Sequence, residues 1–453
     1  MASTGNDQLL PELWIQIFSM LSSHDIKATR LACKAFSDLS SSFLMKRAYF
    51  ALRPRTMDVL FQIARHPIFS KTVTELIYDI TEIKRLWPDE GWYKSEKGDE
   101  LRDGFTEACE LYTAQEASKE SGDGRACLEF AFSHMPRLQT VLCLDWTQIV
   151  QLLLDEDEPK PFAYLHMRDK WWVDVEDDAA VVHAEWARCW YTRKGPMVWD
   201  RMNPHLFALR WVQEISKYRS SAQVKTVFHA AYEANATISN FSYQYFTRTG
   251  QQYGALSHIR AWSLEELNVS RWFFQNLRHF SAGLYNFRKW PEEPPSADIL
   301  GELLSTAPHL ETFGLFTSVM PDGLIHRILG TTRWPCIRSI QLVGMHVDAR
   351  VLRAFLQRNA ATLKEVDISC VTVPPDGRSE QIADIMAQHL DLDGVRLGLQ
   401  FLPHAHQGMG RGSMERNAIM VPMMEARVLH GKPNSLRLHA QPLEDSHFHA
   451  IAS

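Results

Sequence analysis

Four segments in the last third of the chain share one pattern of apolar residues, L-x-x-L-x-L, at nearly constant spacing. The apolar positions are Leu310, Phe313 and Leu315; Ile337, Ile340 and Leu342; Leu363, Val366 and Ile368; and Leu392, Val395 and Leu397. The first positions of successive segments are 27, 26 and 29 residues apart. Such a period is typical of chains built from stacked units, each of which buries its apolar face against the next. The pattern therefore predicts a repeat architecture.

Each period contains both types of regular secondary structure. Alternation over L-x-L predicts a short strand, and apolar residues at 3.6-residue spacing predict a helix in the segments DILGELLST, DARVLRAFLQRNA and SEQIADIMAQHL. Looser copies of the strand pattern lie upstream, at residues 238–243 and 276–280, at Leu138 and Val141, and at Val73, Leu76 and Tyr78. The uneven upstream steps predict irregular repeats.

The period and the pattern resemble those of leucine-rich repeats. The resemblance implies an α/β fold, a solenoid of short parallel strands that alternate with helices. In such strands the residues between the leucines point to the open face of the sheet. The side chains predicted to bind a target there are Glu311, Thr312, Arg338, Gln341, Lys364, Asp367 and Arg396. The alternative is that these residues only form a solvated sheet face.

The first fifty residues predict three short helices with more apolar side chains than they can bury. Residues 13–21 carry an apolar stripe that Ile15 and Met20 widen, a second helix runs to about Cys33, and a third is predicted over residues 36–50. A domain of this size buries too little surface to be stable alone. The surplus apolar surface predicts contact with another polypeptide. Periodicity alone leaves open that the helices pack on their own chain.

The same stretch resembles an F-box, over roughly a tenth of the chain. About ten positions match without a gap in the run E-L-x-x-x-I-F-x-x-L-x-x-x-D-I-x-x-x-R-x-x-C-K-x-F, which begins at Glu12. One departure is that Pro11 directly precedes Glu12, where the family usually has Leu-Pro-x-Glu. Together with the degenerate repeats, the chain is similar to the leucine-rich F-box proteins of filamentous fungi.

The resemblance implies that the chain docks on a Skp-family adaptor, and through it on cullin and RING subunits. The contacts carried over to this sequence are Leu9, Leu10, Pro11, Leu13, Ile17, Leu21, Cys33, Lys34 and Phe36. The expected function is that of a substrate-recognition subunit of a Skp–cullin–F-box ubiquitin ligase, which binds an unidentified protein target through the repeats. The alternative is an interaction scaffold that uses the repeats without ligase coupling.

Composition excludes several other classes of protein. With 45% hydrophobic and 23% charged residues the chain is that of a folded protein, and its net charge of −6 does not favour binding to nucleic acid. No apolar run reaches the ~18 residues of a membrane span, and the N-terminus does not resemble a signal peptide. Seven scattered cysteines without a C-x-x-C motif indicate reduced thiols. We therefore expect a cytoplasmic or nuclear protein.

The sequence divides into five predicted regions. These are the F-box at residues 1–50, first irregular repeats and a linker at 51–146, an insertion at 147–223, the main repeats at 224–402 and a cap or partly disordered tail at 403–453. The insertion is acidic, with nine acids against three bases between Asp155 and Asp178, and half of the fourteen tryptophans lie in or beside it. One interpretation is that the insertion forms a pocket for a basic degron. The interpretation that we favour is that its tryptophans form a small core while its acids face water.

Searches for catalytic patterns found no Walker-type loop, no G-x-G-x-x-G between a strand and a helix, no G-x-S-x-G and no H-E-x-x-H. The pairs His404/His406 and His447/His449 lack the further ligands that a metal needs. The sequence thus predicts a non-catalytic protein without a cofactor or a metal.

Overall fold

A computed structural model of the protein describes residues 10–80, 110–144, 220–244, 262–283, 296–316, 324–343, 347–372 and 390–400, apart from residues 22 and 111, together with Met386. The chain divides into two compact units. Described residues up to 144 belong to the first unit, and those from 238 onwards belong to the second. Most of the acidic insertion and all of the C-terminal tail lie outside the described residues.

The first unit begins with helices and continues as a sheet of parallel strands. Its elements are α1 (Pro11–Met20), α2 (Ser23–Arg30), α3 (Lys34–Ser40), β1 (Arg47–Ala51), α4 (Pro54–Arg65), β2 (Glu75–Asp79), α5 (Asp123–His134) and β3 (Thr140–Leu144). Strand β2 pairs in parallel with both β1 and β3. Strands β2 and β3 coincide with two of the looser strand patterns in the sequence.

Strand β1 occupies residues that the sequence pattern assigned to the third helix, which was predicted over residues 36–50. Helical structure ends with a 3₁₀ turn at Ser41–Phe43, and the prediction of a helix after that turn was wrong. Residues 48–52 are all buried, as in a parallel strand covered on both faces. The Tyr49 hydroxyl donates a 2.5 Å hydrogen bond to the Asp79 carboxylate on β2, and Arg47 pairs with Glu75. These cross-strand bonds exist only once β2 is in place, so a local pattern cannot reveal them.

The second unit alternates helices with parallel strands. Its elements are α6 (Ser220–Glu233), of which residues 220–229 belong to this unit, β4 (Asn240–Gln244), α7 (Leu264–Gln275), β5 (His279–Gly283), α8 (Ser296–Ser305), β6 (Thr312–Phe316), α9 (Leu324–Thr331), β7 (Ser339–Val343), α10 (Ala349–Arg358), β8 (Glu365–Thr372) and β9 (Gly394–Gln400). Each strand from β4 to β9 pairs in parallel with the next. The predicted α/β architecture of parallel strands and helices is confirmed, and it is compatible with a solenoid.

The second apolar position of the repeats forms one continuous row in the core from β4 to β8, whereas the corresponding residue on β9, Val395, is half-buried. Phe241, Phe280 and Phe313 lie in register on β4, β5 and β6, with ring centroids 6.3 and 6.2 Å apart. Ile340 and Val366 continue the row on β7 and β8. All five side chains are buried. Because side chains alternate across a strand, this row fixes which residues face away from the helices.

A repeated backbone contact sets the register where each strand begins. The carbonyl of Arg278 accepts hydrogen bonds from the N–H groups of Glu311 and Thr312, at 2.7 and 2.9 Å. The carbonyls of Glu311, Arg338 and Lys364 accept the corresponding pair from the next repeat. The residue before each strand is therefore held by its backbone, which leaves its side chain available at the edge where the strands start.

Candidate functional site

Helix α1 exposes an apolar face. Leu10, Leu13 and Met20 are 64, 41 and 77% exposed, and their spacing of three and seven residues places them on one side of the helix. Ile17 lies between them on the same side and is half-buried. We call Leu10, Leu13, Ile17 and Met20 the outer face of α1. Within the described residues, no neighbouring element covers it fully.

The side of α1 about 100° round the helix from the outer face is held by an aromatic cluster. The Trp14 ring lies 4.5 Å from the Phe36 ring on α3, and the Phe18 ring lies 5.7 Å from that of Phe36. Phe18 is buried, whereas Trp14 and Phe36 are half-buried. The cluster fixes the rotation of α1, and the outer face therefore lies to one side of the contact with α3.

A second exposed patch lies where α2 meets α3. Leu31 is 89% exposed, and Cys33 and Lys34 are also exposed. The Cys33 sulfur accepts a hydrogen bond from the Phe36 backbone N–H at 3.4 Å, so the residue acts as the N-cap of α3. The same connection positions Lys34 at the first turn of α3.

The residues predicted to contact an adaptor fall into three groups. Leu10, Pro11, Leu13, Cys33 and Lys34 are exposed; Ile17, Leu21 and Phe36 are half-buried; and Leu9 lies outside the described residues. Phe36 also packs in the aromatic cluster, so part of its role is to hold α3 against α1. Met20 and Leu31 are more exposed than Leu10 and Leu13, yet the family pattern did not include them. The sequence could have indicated that Met20 belongs to the exposed apolar face, because Met20 widens the apolar stripe on α1.

The side chains predicted to bind a target on the second unit largely pair with one another or with neighbouring repeats. Glu311 pairs with Arg278 at 3.3 Å, Lys364 pairs with Asp391 at 2.9 Å, and the Gln341 amide donates a 3.1 Å hydrogen bond to Asp367. Thr312 is half-buried and Arg338 is exposed. Arg396 lies opposite Asp367 in the β8–β9 register, but its side chain lies outside the description. These pairs make a mixed-charge surface.

The floor of this surface changes in character from one strand to the next. In one row of the register, Ser242, Ser281 and Gly314 stand on β4, β5 and β6, and Gln341 and Asp367 follow on β7 and β8. A Cβ atom on Gly314 would lie 3.2 Å from the Ser281 hydroxyl, so a larger residue there would require a shift of its neighbour. The first three strands thus present a flat floor and the next two present long polar side chains.

The described thiols differ in their environment. Cys127 and Cys143 are buried, whereas Cys33 and Cys336 are exposed. Burial, with a smaller contribution from the charge of Asp58, raises the pKa of Cys127 to about 12. Burial also raises the pKa of Cys143 far above the usual value for a thiol. Both buried thiols therefore stay protonated at pH 7, the form that is unreactive as a nucleophile.

We expect iodoacetamide to alkylate Cys33 and Cys336 in the native protein and to leave Cys127 and Cys143 unmodified, because of these four thiols only the first two reach solvent. Mass spectrometry of proteolytic peptides would measure each site, and alkylation in denaturant would serve as the control in which all four react. Equal native rates at Cys127 and Cys33 would contradict the burial of Cys127.

Among the described residues, no group of three or more His, Cys, Asp or Glu side chains is arranged to hold a metal ion. Within the same ranges, no helix combines the length and the apolar character needed to cross a bilayer. Comparison of the sequence with models of known protein families and with curated proteins gave no match.

Proposed function

We propose that this protein is a non-catalytic substrate receptor of a Skp–cullin–F-box ubiquitin ligase, with an F-box in residues 1–50 and irregular leucine-rich repeats behind it. In this proposal the outer face of α1 and the exposed patch at Leu31, Cys33 and Lys34 dock on a Skp-family adaptor. The open face of the repeats binds a protein target. The assembly works in the cytoplasm or the nucleus.

The observation that carries the proposal is the exposed apolar surface of the N-terminal helices. Leu10, Leu13, Met20 and Leu31 are between 41 and 89% exposed. Fully burying an exposed large apolar side chain stabilises a complex by about 1.5–3 kcal/mol, so these four partly exposed residues would supply roughly 4–8 kcal/mol before the cost of association. Such surface on a short helical segment is typical of a site for another polypeptide.

The proposed mechanism is proximity. A receptor that holds a target and the ligase together raises the effective concentration of target lysines near the ubiquitin thioester carried elsewhere in the assembly. No residue of this chain takes part in the bond-making step. The continuous core row from Phe241 to Val366 supports this role, because a rigid spacer preserves that concentration.

The turnover of bound proteins tests the proposal. We expect proteins that co-purify with the full chain to live longer in cells that express the Leu13→Asp variant instead of the wild type, because the variant keeps the repeats and loses the ligase. Pulse-chase measurement of their half-lives would show this change. Ile15→Asp is a matched control, since Ile15 is 42% exposed on the same helix but outside the outer face.

Unchanged half-lives, with the same proteins bound to both chains, would contradict the receptor proposal. If the adaptor also bound the wild type in that experiment, the protein would be a scaffold that uses the repeats without degradation. If the adaptor did not bind the wild type, the F-box proposal itself would be wrong.

A further inference from the structure

Two repeats of the second unit carry a concentration of positive charge. Residues 324–364 contain Arg327, Arg333, Arg338, Arg350, Arg353, Arg358 and Lys364. Their only acid is Asp348, so the segment has a net charge of +6, whereas the whole chain has a net charge of −6. A local charge of the opposite sign to the total concentrates the electrostatic potential on one part of the surface.

Five of these arginines form what we call the arginine surface: Arg333, Arg338, Arg350, Arg353 and Arg358. Arg350 and Arg353 are exposed on α10, three residues apart and so on one side of the helix. Arg358 ends α10, about 12 Å further along its axis. Arg333 and Arg338 are exposed in the connection between α9 and β7. The surface therefore runs along α10 to the edge where the strands begin.

Two acids lie beside the arginine surface: Asp348, whose carboxylate accepts a 2.7 Å hydrogen bond from the Arg350 backbone N–H, and Glu365, the exposed first residue of β8. Within the described part of the chain none of the five members of the surface forms an ion pair, in contrast to the neighbouring pairs Arg278–Glu311 and Lys364–Asp391. Its cations also act on one another: burial, and next the charge of Arg333, lower the pKa of Arg358. Repulsion between these cations raises the free energy of the surface, and an anionic partner would lower it again.

Arg358 is the anchored member of the surface. Its guanidinium donates to the backbone carbonyl of Leu329 and, at 3.4 Å, to that of Gly330, where α9 ends. Its buried Nε–H has no acceptor among the described residues. The contact with the carbonyl end of α9 holds the Arg358 side chain in place without pairing its charge with a carboxylate.

Acidic residues limit the width of the surface. Glu311 stands before β6 on one side, and Asp391 and Asp393 precede β9 on the other. Parallel strands lie about 4.8 Å apart, so the basic region is only about 10 Å across and about 12 Å long. A nucleic acid duplex carries one charge per about 1.7 Å along its axis and would extend onto the flanking acids. An extended peptide of about four residues, at about 3.3 Å per residue, matches the dimensions.

We propose that the arginine surface binds a short Asp/Glu-rich segment of a partner protein. The guanidinium group suits this partner because its parallel N–H donors bind a carboxylate in bidentate fashion. The inference goes beyond the proposed function, since it requires no adaptor; within that function, the acidic segment would be part of the target. The attraction is electrostatic and is screened by salt.

Fluorescence anisotropy of a fluorescein-labelled octaglutamate peptide with the full-length protein tests the proposal. We expect saturable binding at low salt that weakens by about tenfold or more when the salt concentration is raised to about 0.3 M. The double charge reversal Arg350→Glu/Arg353→Glu should weaken binding by at least about tenfold. It should leave the fold intact, because both residues are exposed and acids are favourable near the N-terminus of a helix.

The matched control is Arg55→Glu/Lys71→Glu, which changes the net charge by the same amount at exposed positions of the first unit. It should leave the affinity within about twofold. Leu13→Asp should bind the peptide like the wild type, which separates this test from that of adaptor docking. A dye-labelled octaserine peptide should not bind.

Three outcomes would overturn the proposal. The first is no saturable binding of octaglutamate to the wild type. The second is an equal loss of affinity in the two double variants, which would mean that only the overall charge matters. The third is that labelled oligothymidylate binds more tightly than octaglutamate and with the same dependence on Arg350 and Arg353, which would assign the surface to nucleic acid.

Discussion

Leu13→Asp is expected to abolish co-purification of the protein with a Skp-family adaptor. The Leu13 side chain is 41% exposed on the outer face of α1, between Leu10 and Ile17. In the proposed complex this face becomes desolvated, and an aspartate there would place an unpaired carboxylate in an apolar contact, which costs several kcal/mol. Co-expression of the tagged full chain with the adaptor, followed by affinity purification and size-exclusion chromatography, measures the effect.

Ile15→Asp provides the control for this substitution. It introduces the same charge on the same helix at nearly the same exposure, 42%, but two residues away and therefore on the other side of α1. We expect the control to retain the adaptor. Both variants should unfold within a few degrees of the wild type, since surface substitutions usually change the free energy of unfolding by about 0.5 kcal/mol or less. Retention of the adaptor by Leu13→Asp would show that the outer face is not the docking site.

Trp334→Ala is expected to cause the largest loss of stability in the second unit. The Trp334 side chain is 1% exposed. Its ring lies 4.8 Å from that of Phe313 on β6 and 5.9 Å from that of Phe355 on α10, and its Nε1–H donates a 2.9 Å hydrogen bond to the Leu304 carbonyl on α8. Truncation would leave a cavity and remove one of the two hydrogen bonds to the Leu304 carbonyl, which also accepts from the Ala307 N–H, so we expect a loss of about 3–5 kcal/mol in the free energy of unfolding.

Two further variants separate the contributions of Trp334. Trp334→Phe keeps one six-membered ring and removes the N–H donor together with the rest of the indole, so we expect a smaller loss of about 1–3 kcal/mol. Leu264→Ala removes an apolar side chain that is 71% exposed and should change stability by about 0.5 kcal/mol or less. Urea denaturation followed by circular dichroism measures the losses, and hydrogen exchange of β6–β8 peptides locates them. A Trp334→Ala protein as stable as the Leu264→Ala protein would refute the assigned packing.

The repeats were the part of the fold that the sequence predicted best. Leu310, Phe313 and Leu315 are buried in the positions that the L-x-x-L-x-L pattern assigned to the core, and the copies at Ile337 and Leu363 behave in the same way. The pattern succeeds because each repeat buries its apolar face close to its own position in the chain, so local alternation carries the information. The looser copies near Ile238 and Leu277 were found for the same reason.

The N-terminal boundary of the sheet was harder to predict. The residues that follow Phe43 read as a continuation of a helix, yet Arg47–Ala51 form β1. Their partner, β2, is separated from them by helix α4. A strand buried on both faces has a continuous apolar sequence, which does not distinguish it from a buried helix.

The candidate binding surfaces were also predicted only in part from the sequence. The stripe on α1 predicted exposed apolar residues, but only the contacts of Trp14 and Phe18 with Phe36 decide which side faces outwards. On the repeats, alternation selected Glu311 and Lys364, and the structure added that each is already paired with a neighbouring repeat. The arginine surface was not predicted, because its members come from one helix and one connection that converge only in the folded chain.

The sequence alone determined the alternation of parallel strands and helices and the residues that fill the core of each repeat, because burial within a repeat depends on spacing that the chain itself specifies. The tertiary structure alone decided the start of the sheet at Arg47, the rotation of α1, and the lack of ion-pair partners for Arg350 and Arg353 in the described part of the chain. These features depend on which distant side chains come within a few ångströms of one another, and no local pattern encodes that distance.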